Sequence, residues 1–303
     1  MSTTSRSFIM CGRTRGKRMH ITKLLLASLT AVFFATGQSS ADVISHWKFE
    51  EGIAGNPAAS PLLDSSGNNL DMTPANGPIY LAVPNPDSTL GLQFGSNRLA
   101  SRPDNSLYRL TSMTIEAFVR FNGGGGTQQQ VLFLGDWRGG LDPFYFGTYL
   151  GKLRFNISNM NRDLALGAPD LLPTGRFVHV AATLNDATNE MKIFIDGVEV
   201  ASRSATHPTT LVPIRPNVTP YSTARISIGA LDHGAGPGTN IGQYFNGDLD
   251  EVRLSNVALS PEQFLNAPTA AVPEPSSLVL WSLGSLGIAV VARRRQKREP
   301  RVG

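Results

Sequence analysis

The chain has 303 residues, of which 41% are hydrophobic and 17% charged, with 30 Gly, 20 Pro and a single Cys. This apolar fraction is large enough for a packed core, which excludes a wholly disordered chain. Low charge combined with many Gly and Pro residues favours a turn-rich β protein over a helical bundle. One Cys excludes a disulfide framework and a zinc ribbon.

The net charge of +4 comes from the two ends of the chain. Residues 1–41 hold six basic residues and no acidic one, and residues 273–303 hold six basic against two acidic residues. The ends therefore carry +10, and residues 42–272 carry −6. A domain of negative net charge has no electrostatic reason to bind phosphate backbones, so the sequence argues against a nucleic-acid partner.

Residues 1–41 have the pattern of a secretory signal peptide. A basic stretch precedes the apolar run 24–35, and small residues at 39–41 suit signal peptidase, so we expect cleavage after residue 41. The apolar run is too short for a comfortable membrane span and has no charged stop. The basic stretch is unusually long, which leaves either Met1 or Met19 as the start of the protein.

Residues 42–268 are predicted to form one all-β domain, because two-residue alternation recurs between Gly, Pro, Asn and Asp residues. The sequence Asp196-Gly197 predicts a type I′ hairpin turn, and residues 260–263 predict a short capped helix. Neither βαβ spacing nor an internal repeat is present, which favours an antiparallel two-sheet sandwich. The predicted strands cover residues 43–49, 90–95, 113–121, 130–136, 144–150, 152–158, 177–184, 190–196, 198–203, 225–230 and 245–254.

Six segments of this domain resemble, in order, the laminin-G-like domains of the concanavalin A-like group. They are residues 46–52 (HWKFEEG), 63–68 (LDSSGN), 113–119 (MTIEAFV), 177–181 (FVHVA), 191–200 (MKIFIDGVEV) and 245–254 (FNGDLDEVRL). The resemblance covers nearly all of residues 43–266 and implies a two-sheet jelly roll. Domains of this kind host binding more often than catalysis, although some relatives are glycosidases.

Asp248, Asp250 and Glu251 offer carboxyl groups for glycoside hydrolysis. A retaining glycosidase needs two carboxyls about 5–5.5 Å apart, and residues i and i+2 of a strand share a face. Glycosidase relatives carry Glu-x-Asp-x-Glu, sometimes with one extra residue before the last Glu. Here the first position is Asp, and Val252 and Arg253 stand where the last Glu is required. We therefore expect no enzymatic activity.

The resemblance also implies a bound calcium ion, which in this group often joins an early loop to the region near the closing strand. Calcium takes six to eight oxygen ligands from carboxylates, amide side chains and backbone carbonyls. The candidate ligands are Glu50, Asp64, Asn68 and Asp250. The alternative for residues 64–68 is turn chemistry, in which each side chain bonds to the neighbouring backbone.

A carbohydrate site needs an exposed aromatic platform with polar groups nearby, and Trp137, His233 and Tyr244 are the candidates. Trp137 lies in a Gly-rich turn after a predicted strand, and His233 lies in a second Gly-rich loop, residues 231–239. Aromatic residues of a sandwich usually fill its core, which is the competing interpretation and the one we expect for Trp47.

Residues 269–303 resemble the PEP-CTERM sorting tail of Gram-negative bacteria. A Pro-Glu-Pro motif (residues 272–276), an apolar segment (278–292) and a basic cluster (293–298) follow one another in the family's order. As a helix, the apolar segment is about 22–26 Å long, which is short of a relaxed bilayer span. The motif contains Val272, Pro273, Glu274 and Pro275, and the basic cluster, expected on the cytoplasmic side, begins with Arg293, Arg294 and Arg295.

This resemblance implies that an exosortase removes the tail after residues 278–292 have held the protein transiently in the inner membrane. The expected destination is the cell surface or the extracellular matrix. Because the tail family is associated with exopolysaccharide and biofilm formation, we expect a non-enzymatic protein that binds a glycan or another protein. A divergent polysaccharide hydrolase and a purely structural adhesin are the alternatives.

Overall fold

The chain folds into two antiparallel sheets that pack face to face. A computed structural model describes residues 42–267, apart from residues 60, 86–87, 96, 125, 136–141, 160–161, 205–223 and 235–240. Two single turns of 3-10 helix lie at Ser106–Tyr108 and Pro261–Gln263. The strands are β1 (Val43–Trp47), β2 (Thr73–Ala75), β3 (Ile79–Ala82), β4 (Leu90–Gln93), β5 (Leu99–Pro103), β6 (Met113–Phe121), β7 (Gln128–Gly135), β8 (Phe144–Tyr149), β9 (Lys152–Asn159), β10 (Arg162–Leu171), β11 (Val178–Asn185), β12 (Glu190–Ile195), β13 (Val198–Ser204), β14 (Arg225–Ile228), β15 (Leu231–Asp232), β16 (Ile241–Gly242) and β17 (Gly247–Ser255).

The strand order within each sheet is that of a jelly roll. The first sheet runs β13-β12-β11-β6-β17-β4-β3, with β1 also paired to β17, and the second runs β10-β9-β8-β7-β14-β5-β2. Strands β15 and β16 form a separate two-stranded ribbon. Strands β6 and β17 are neighbours in the first sheet although they are far apart in sequence, because the chain crosses to the second sheet and back between them. The two-sheet jelly roll expected from the sequence is therefore confirmed.

The core lies between the inner faces of the two sheets. Phe146 and Phe155 lie on neighbouring strands of the second sheet and meet edge to face, with ring centroids 6.4 Å apart. Trp47 is fully buried, as expected, and its indole N–H donates to the carbonyl of Leu70 at 2.9 Å. The one polar atom of this side chain is thus satisfied, and the ring contributes its apolar area to the core.

All eleven predicted segments contain strands, and the turn at Asp196-Gly197 has both residues at positive φ, as a type I′ turn requires. The predicted helix near residue 260 is only one 3-10 turn, although its capping box is present. Six of the described strands were not predicted: β2, β3, β5, β10, β15 and β16. In β10, Gly167 and Pro169 are residues typical of loops. Since β10 is the edge strand of the second sheet, a proline there removes no essential ladder hydrogen bond.

After β17 the chain returns across the outer face of the first sheet as a C-terminal strap (residues 256–267). Leu259 and Phe264 of the strap pack against Ala181 and Phe194 of the sheet in a small apolar cluster separate from the main core. The hydroxyl of Thr114 accepts from the backbone N–H of Leu259 at 2.8 Å. The sandwich is therefore completed within residues 42–267, just before the sorting tail.

No helix among the described residues is long and apolar enough to cross a membrane.

The predicted signal peptide (1–41) and sorting tail (269–303) lie outside the described residues. The helix expected at residues 278–292 and the domain boundaries at 41 and 268 stay predictions.

Candidate ligand and metal sites

Strand β17 of the first sheet carries the three acidic residues that the sequence offered for glycoside hydrolysis. Asp248 is buried and forms an ion pair with Arg120, whose Nε lies 2.5 Å from Oδ2. Burial raises the pKa of Asp248, and the hydrogen bond and charge of Arg120 only partly oppose that rise. The carboxylate already has a cationic partner, so it is not free to act on a ligand.

Asp250 lies two residues further along β17 and is fully buried. Its Oδ2 accepts from the side-chain amide of Asn85 at 2.6 Å, and its Oδ1 accepts from the backbone N–H of Glu251 at 2.8 Å. Burial raises the pKa of Asp250 to about 7, and the neighbouring Glu251 charge adds to the rise, against hydrogen bonds from Asn85 and Ser88. Among the described residues no cation pairs with this carboxylate.

Glu50 and Asp250 both bond to the segment of residues 85–90. The hydroxyl of Ser88 donates to Glu50 Oε1 at 2.6 Å, and the side-chain amide of Asn85 in the same segment donates to Asp250. Backbone N–H groups of Thr89 and Leu90 donate to the same Glu50 oxygen at 2.8 and 2.9 Å. Burial raises the pKa of Glu50, but the hydrogen bonds from Ser88, Thr89 and Leu90 outweigh it and leave the pKa lowered.

Asp64 and Asn68 lie on a turn beside β1. Asp64 accepts hydrogen bonds from the backbone N–H groups of His46, Ser66 and Leu70, at 2.9–3.0 Å. The side-chain amide of Asn68 donates to the carbonyls of Val43 and Ile44. These contacts are the turn chemistry that the sequence offered as the alternative to a metal site. Neither residue shares a hydrogen-bond partner with Glu50 or Asp250.

Glu50 and Asp250 are the pair that suits a hard cation. The two carboxylates and the Ser88 hydroxyl are oxygen-bearing groups of the kind that calcium binds, whereas Asn85 turns its amide nitrogen towards Asp250. Within the described residues no three His, Cys, Asp or Glu side chains cluster closely enough to hold a metal, so amide and backbone oxygens would have to complete the shell. A buried carboxylate with a raised pKa and no cationic partner fits such a site.

Glu251 points away from Asp250 because the strand bulges between them. The register of β17 against β6 shifts between Asp250 and Arg253, and Glu251 has φ +51°. Its Oε2 lies 2.5 Å from His46 Nε2, and its Oε1 lies 3.8 Å from Lys48 Nζ. The bulge turns the three acidic residues of this strand towards different partners, which is unlike an open pair of catalytic carboxyls.

His233, one of the three ligand-binding candidates, lies at one end of the second sheet. His233 follows β15, and its Nε2 lies 3.2 Å from an oxygen of Asp142, while its ring stands edge-on to Phe133 with centroids 5.2 Å apart. Gly135 permits this approach, because a Cβ at that position would lie 2.1 Å from the same Asp142 oxygen. Two Gly-rich segments that are distant in sequence therefore meet at the His233–Asp142 pair.

Trp137 lies outside the described residues, which include Gly135 before it and Asp142 after it in the sequence. Tyr244 is partly buried and follows β16, just before the buried Phe245. No contact in the described part of the chain joins Tyr244 to His233. Sequence reasoning missed Asp142, and its only signal was an Asp-Pro pair at the end of a Gly-rich stretch.

A partly buried ion pair, between Asp232 and Arg225, holds the start of the loop that carries His233. Asp232 Oδ2 lies 3.0 Å from Arg225 Nε, and Asp232 Oδ1 accepts from the backbone N–H of Gly234 at 2.9 Å. Arg225 also donates to Ser101 Oγ at 3.0 Å. These contacts hold the start of the loop in place, so His233 is presented from a rigid base.

The comparisons with known proteins agree with the fold. A family model described as "Concanavalin A-like lectin/glucanases superfamily" matches residues 94–264, more than half of the chain, and the PEP-CTERM protein-sorting motif matches residues 271–296. The motif marks the chain for export and sorting to the cell envelope, with processing by an exosortase. No curated protein sequence matches the chain.

Two similar solved structures are a domain of an enzyme and a domain of a toxin. Domain 4 of AbnA, a GH43 extracellular arabinanase from Geobacillus stearothermophilus in complex with arabinotriose, is 16% identical with a TM-score of 0.50, covering 75% of this chain and 99% of that one. The binding domain of Paraclostridial Mosquitocidal Protein 1 is 13% identical with a TM-score of 0.50, covering 74% and 51%. These likenesses concern the fold alone; with the family match, they mean that the chain belongs to the concanavalin A-like lectin/glucanases superfamily.

Proposed function

We propose that this exported protein binds a glycan at the His233–Asp142 pair, and that Trp137 contributes an aromatic contact to the ligand. The pairing of His233 with Asp142 carries the proposal, because it brings partly exposed polar groups from two distant parts of the sequence together at an end of the second sheet. Carbohydrate sites combine such groups with an apolar face. The arabinotriose bound to the similar AbnA domain supports the choice of a saccharide.

The surroundings of the three carboxylates of β17 favour binding without catalysis. Asp248 is paired with Arg120, Glu251 with His46, and Asp250 is fully buried beneath Asn85. A glycosidase needs one ionised and one protonated carboxyl on either side of an accessible sugar. Because no such open pair exists among the described residues, a hydrolase acting through this strand is the less favoured alternative.

Calcium is the proposed cofactor, with Glu50 and Asp250 as its side-chain ligands. The ion would neutralise the buried Asp250 and join the segment after β1 to β17, which stabilises the folded domain. Asp64 and Asn68 are left out of the proposed site, because they bond to residues 43–46 and 66–70, whereas Glu50 and Asp250 both bond to residues 85–90.

The test of glycan binding is retention of the folded domain, residues 42–272, on the exopolysaccharide of the producing organism. We expect His233→Ala to weaken affinity at least tenfold, about 1.4 kcal/mol, without changing the unfolding midpoint by more than a few degrees. Arg176→Ala, at an exposed residue elsewhere on the surface, is the matched control and should bind like the unmodified domain.

Shortening of the polysaccharide during the assay would instead support the hydrolase. Binding to a surface protein but to no glycan would support the structural adhesin.

Sorting is tested by the replacement of Pro273 and Glu274 together by alanine. The motif is what the processing enzyme is expected to recognise, so the variant should stay in the membrane fraction with its tail attached. Removal of residues 269–303 is the control and should release the domain. Membrane fractionation with an antibody against the domain measures both, and normal release of the Pro273/Glu274 variant would contradict the assignment.

A further inference from the structure

A pocket of about 470 Å³ lies at the end of the sandwich where β6 gives way to β7, and the residues proposed above do not line it. It is formed by three loops, which follow β6, β8 and β10. Its volume falls within the range of sites for small molecules. The lining residues are Phe121, Gly123, Gly124, Gly126, Thr127, Leu150, Gly151, Leu171, Leu172 and Thr174.

Leu150 is the unusual residue of this pocket. It occupies the first position of the two-residue turn between β8 and β9, where its φ is +51° and that of Gly151 is +76°. The equivalent hairpin between β12 and β13 has Asp196 followed by Gly197, which is the pairing that such turns prefer. Leucine pays for a positive φ with steric strain and gains no side-chain hydrogen bond there.

The strained leucine is also exposed to solvent. Leu150 is 62% exposed, and Leu171, whose side chain lies beside Gly151 of the same turn, is 67% exposed. Neither side chain contributes to the core. Strain combined with exposure is costly for folding, and backbone strain of this kind is concentrated at functional sites. The two leucines therefore suit a ligand that they cover when it binds.

The third wall of the pocket is a glycine loop that buried polar side chains hold in shape. Asn246 Nδ2 donates to the carbonyl of Gly123 at 2.7 Å, and Gln129 Nε2 donates to that of Gly124. Gln129 in turn accepts from the backbone N–H of Asn246 at 2.7 Å. These bonds hold the carbonyls of Gly123 and Gly124, which both have positive φ, so this part of the pocket wall does not depend on a ligand for its hydrogen bonds.

The chemistry of the lining selects a neutral ligand. None of the lining residues is charged, so a uronate, sulfate or ammonium group would lose its hydration without gaining a counter-charge. Thr127 and Thr174 provide hydroxyl groups on an otherwise apolar lining. Such a surface matches a sugar ring that carries both hydroxyls and an apolar substituent.

We propose that this pocket is a second glycan site, which takes a neutral saccharide unit carrying a methyl or acetyl group against Leu150 and Leu171. The assignment rests on the proposed glycan-binding function for the class of ligand, but it uses a separate set of residues. Loss of one site should therefore leave the other intact.

The test compares methyl α-L-rhamnoside with methyl α-L-mannoside, which differ only by the hydroxyl at carbon 6, in titrations of the domain followed by NMR. We expect the rhamnoside to bind at least fivefold more tightly. Leu150→Asn should abolish that preference and reduce rhamnoside affinity at least tenfold, while the unfolding midpoint stays equal or rises, because Asn-Gly is the favoured turn pair.

Two variants separate this proposal from the first one. Val198→Asn replaces another exposed apolar residue, 65% exposed beside the other two-residue turn, and should bind the rhamnoside like the unmodified domain. His233→Ala should also keep rhamnoside binding even where it abolishes retention on the exopolysaccharide. Equal affinity for the two glycosides, no binding of either, or unchanged binding by Leu150→Asn would overturn the pocket assignment.

Discussion

Glu116→Gln is expected to destabilise the domain by about 3–5 kcal/mol, the range found when one partner of a buried ion pair is removed. Glu116 is fully buried in β6, and its carboxylate accepts from Arg253 Nε at 2.8 Å and His179 Nε2 at 2.9 Å. Its Oε2 also accepts from the backbone N–H of Leu265 in the strap at 2.8 Å. A neutral amide would leave Arg253 without its counter-charge. Denaturant unfolding at pH 7 measures the loss.

The same substitution should release the strap before the sheets unfold. Arg253 also donates to the carbonyl of Gln263, and the ring of Phe264 lies against His179 with centroids 5.5 Å apart, so the cluster ties the strap to the sheet. Hydrogen exchange should therefore speed up first in residues 256–267. Glu190→Gln, at an exposed ion pair with Lys192, is the control and should cost less than about 1 kcal/mol.

The stability that Glu116 gives to the folded domain is expected to fall at low pH. Burial works against ionisation of Glu116, but the His179 hydrogen bond and the Arg253 charge outweigh it and lower the pKa below 4.5. A lowered carboxyl pKa stabilises the folded state above pH 4.5, and this stability is lost as the pH falls through the folded-state pKa. The difference in stability between the unmodified domain and Glu116→Gln should shrink below pH 4.5. A constant difference would contradict the ion-pair account.

The sequence predicts the sheets better than the connections between them. Alternation in residues 113–121 identifies β6 and places Glu116 and Phe118 on one face. It gives no sign that Glu116 will meet Arg253, 137 residues later, or a backbone group of the strap. Such partners are set by the crossover topology, which local pattern does not encode. A buried charge in a strand is a signal that a partner exists, without naming it.

In the candidate sites, too, the sequence predicts local turns but not contacts between distant segments. The Asp64 turn could be anticipated, because Asp and Ser bond to backbone groups two residues away in many turns. The meeting of His233 with Asp142 depends on where two loops close over the second sheet, so sequence spacing could not indicate it. Leu150 was placed at the end of a predicted strand, where its positive φ could not be foreseen, because leucine rarely adopts that conformation.

Asp250→Asn is expected to stabilise the metal-free domain at pH 8. The pKa of Asp250 is about 7 in the folded state, against 3.8 for an ordinary aspartate, because the side chain is buried. The folded state keeps the proton that the unfolded chain releases, so stability falls by up to about 4 kcal/mol as the pH rises from 4 to 7. Asparagine cannot ionise and avoids that loss. Unfolding with EDTA at pH 5 and pH 8 measures it.

With calcium at pH 8, the unmodified domain should become more stable than Asp250→Asn. An ion that binds only the folded state at a hundred times its dissociation constant adds about 2.7 kcal/mol, and Asp250→Asn removes a charged ligand. The unmodified domain should therefore gain stability in calcium at pH 8, while Asp250→Asn and Glu50→Gln gain little. Asp170→Asn, at an exposed carboxylate, is the matched control and should respond like the unmodified domain. Equal responses of Asp250→Asn and the unmodified domain would place any bound calcium elsewhere and leave Asp250 as a buried acid.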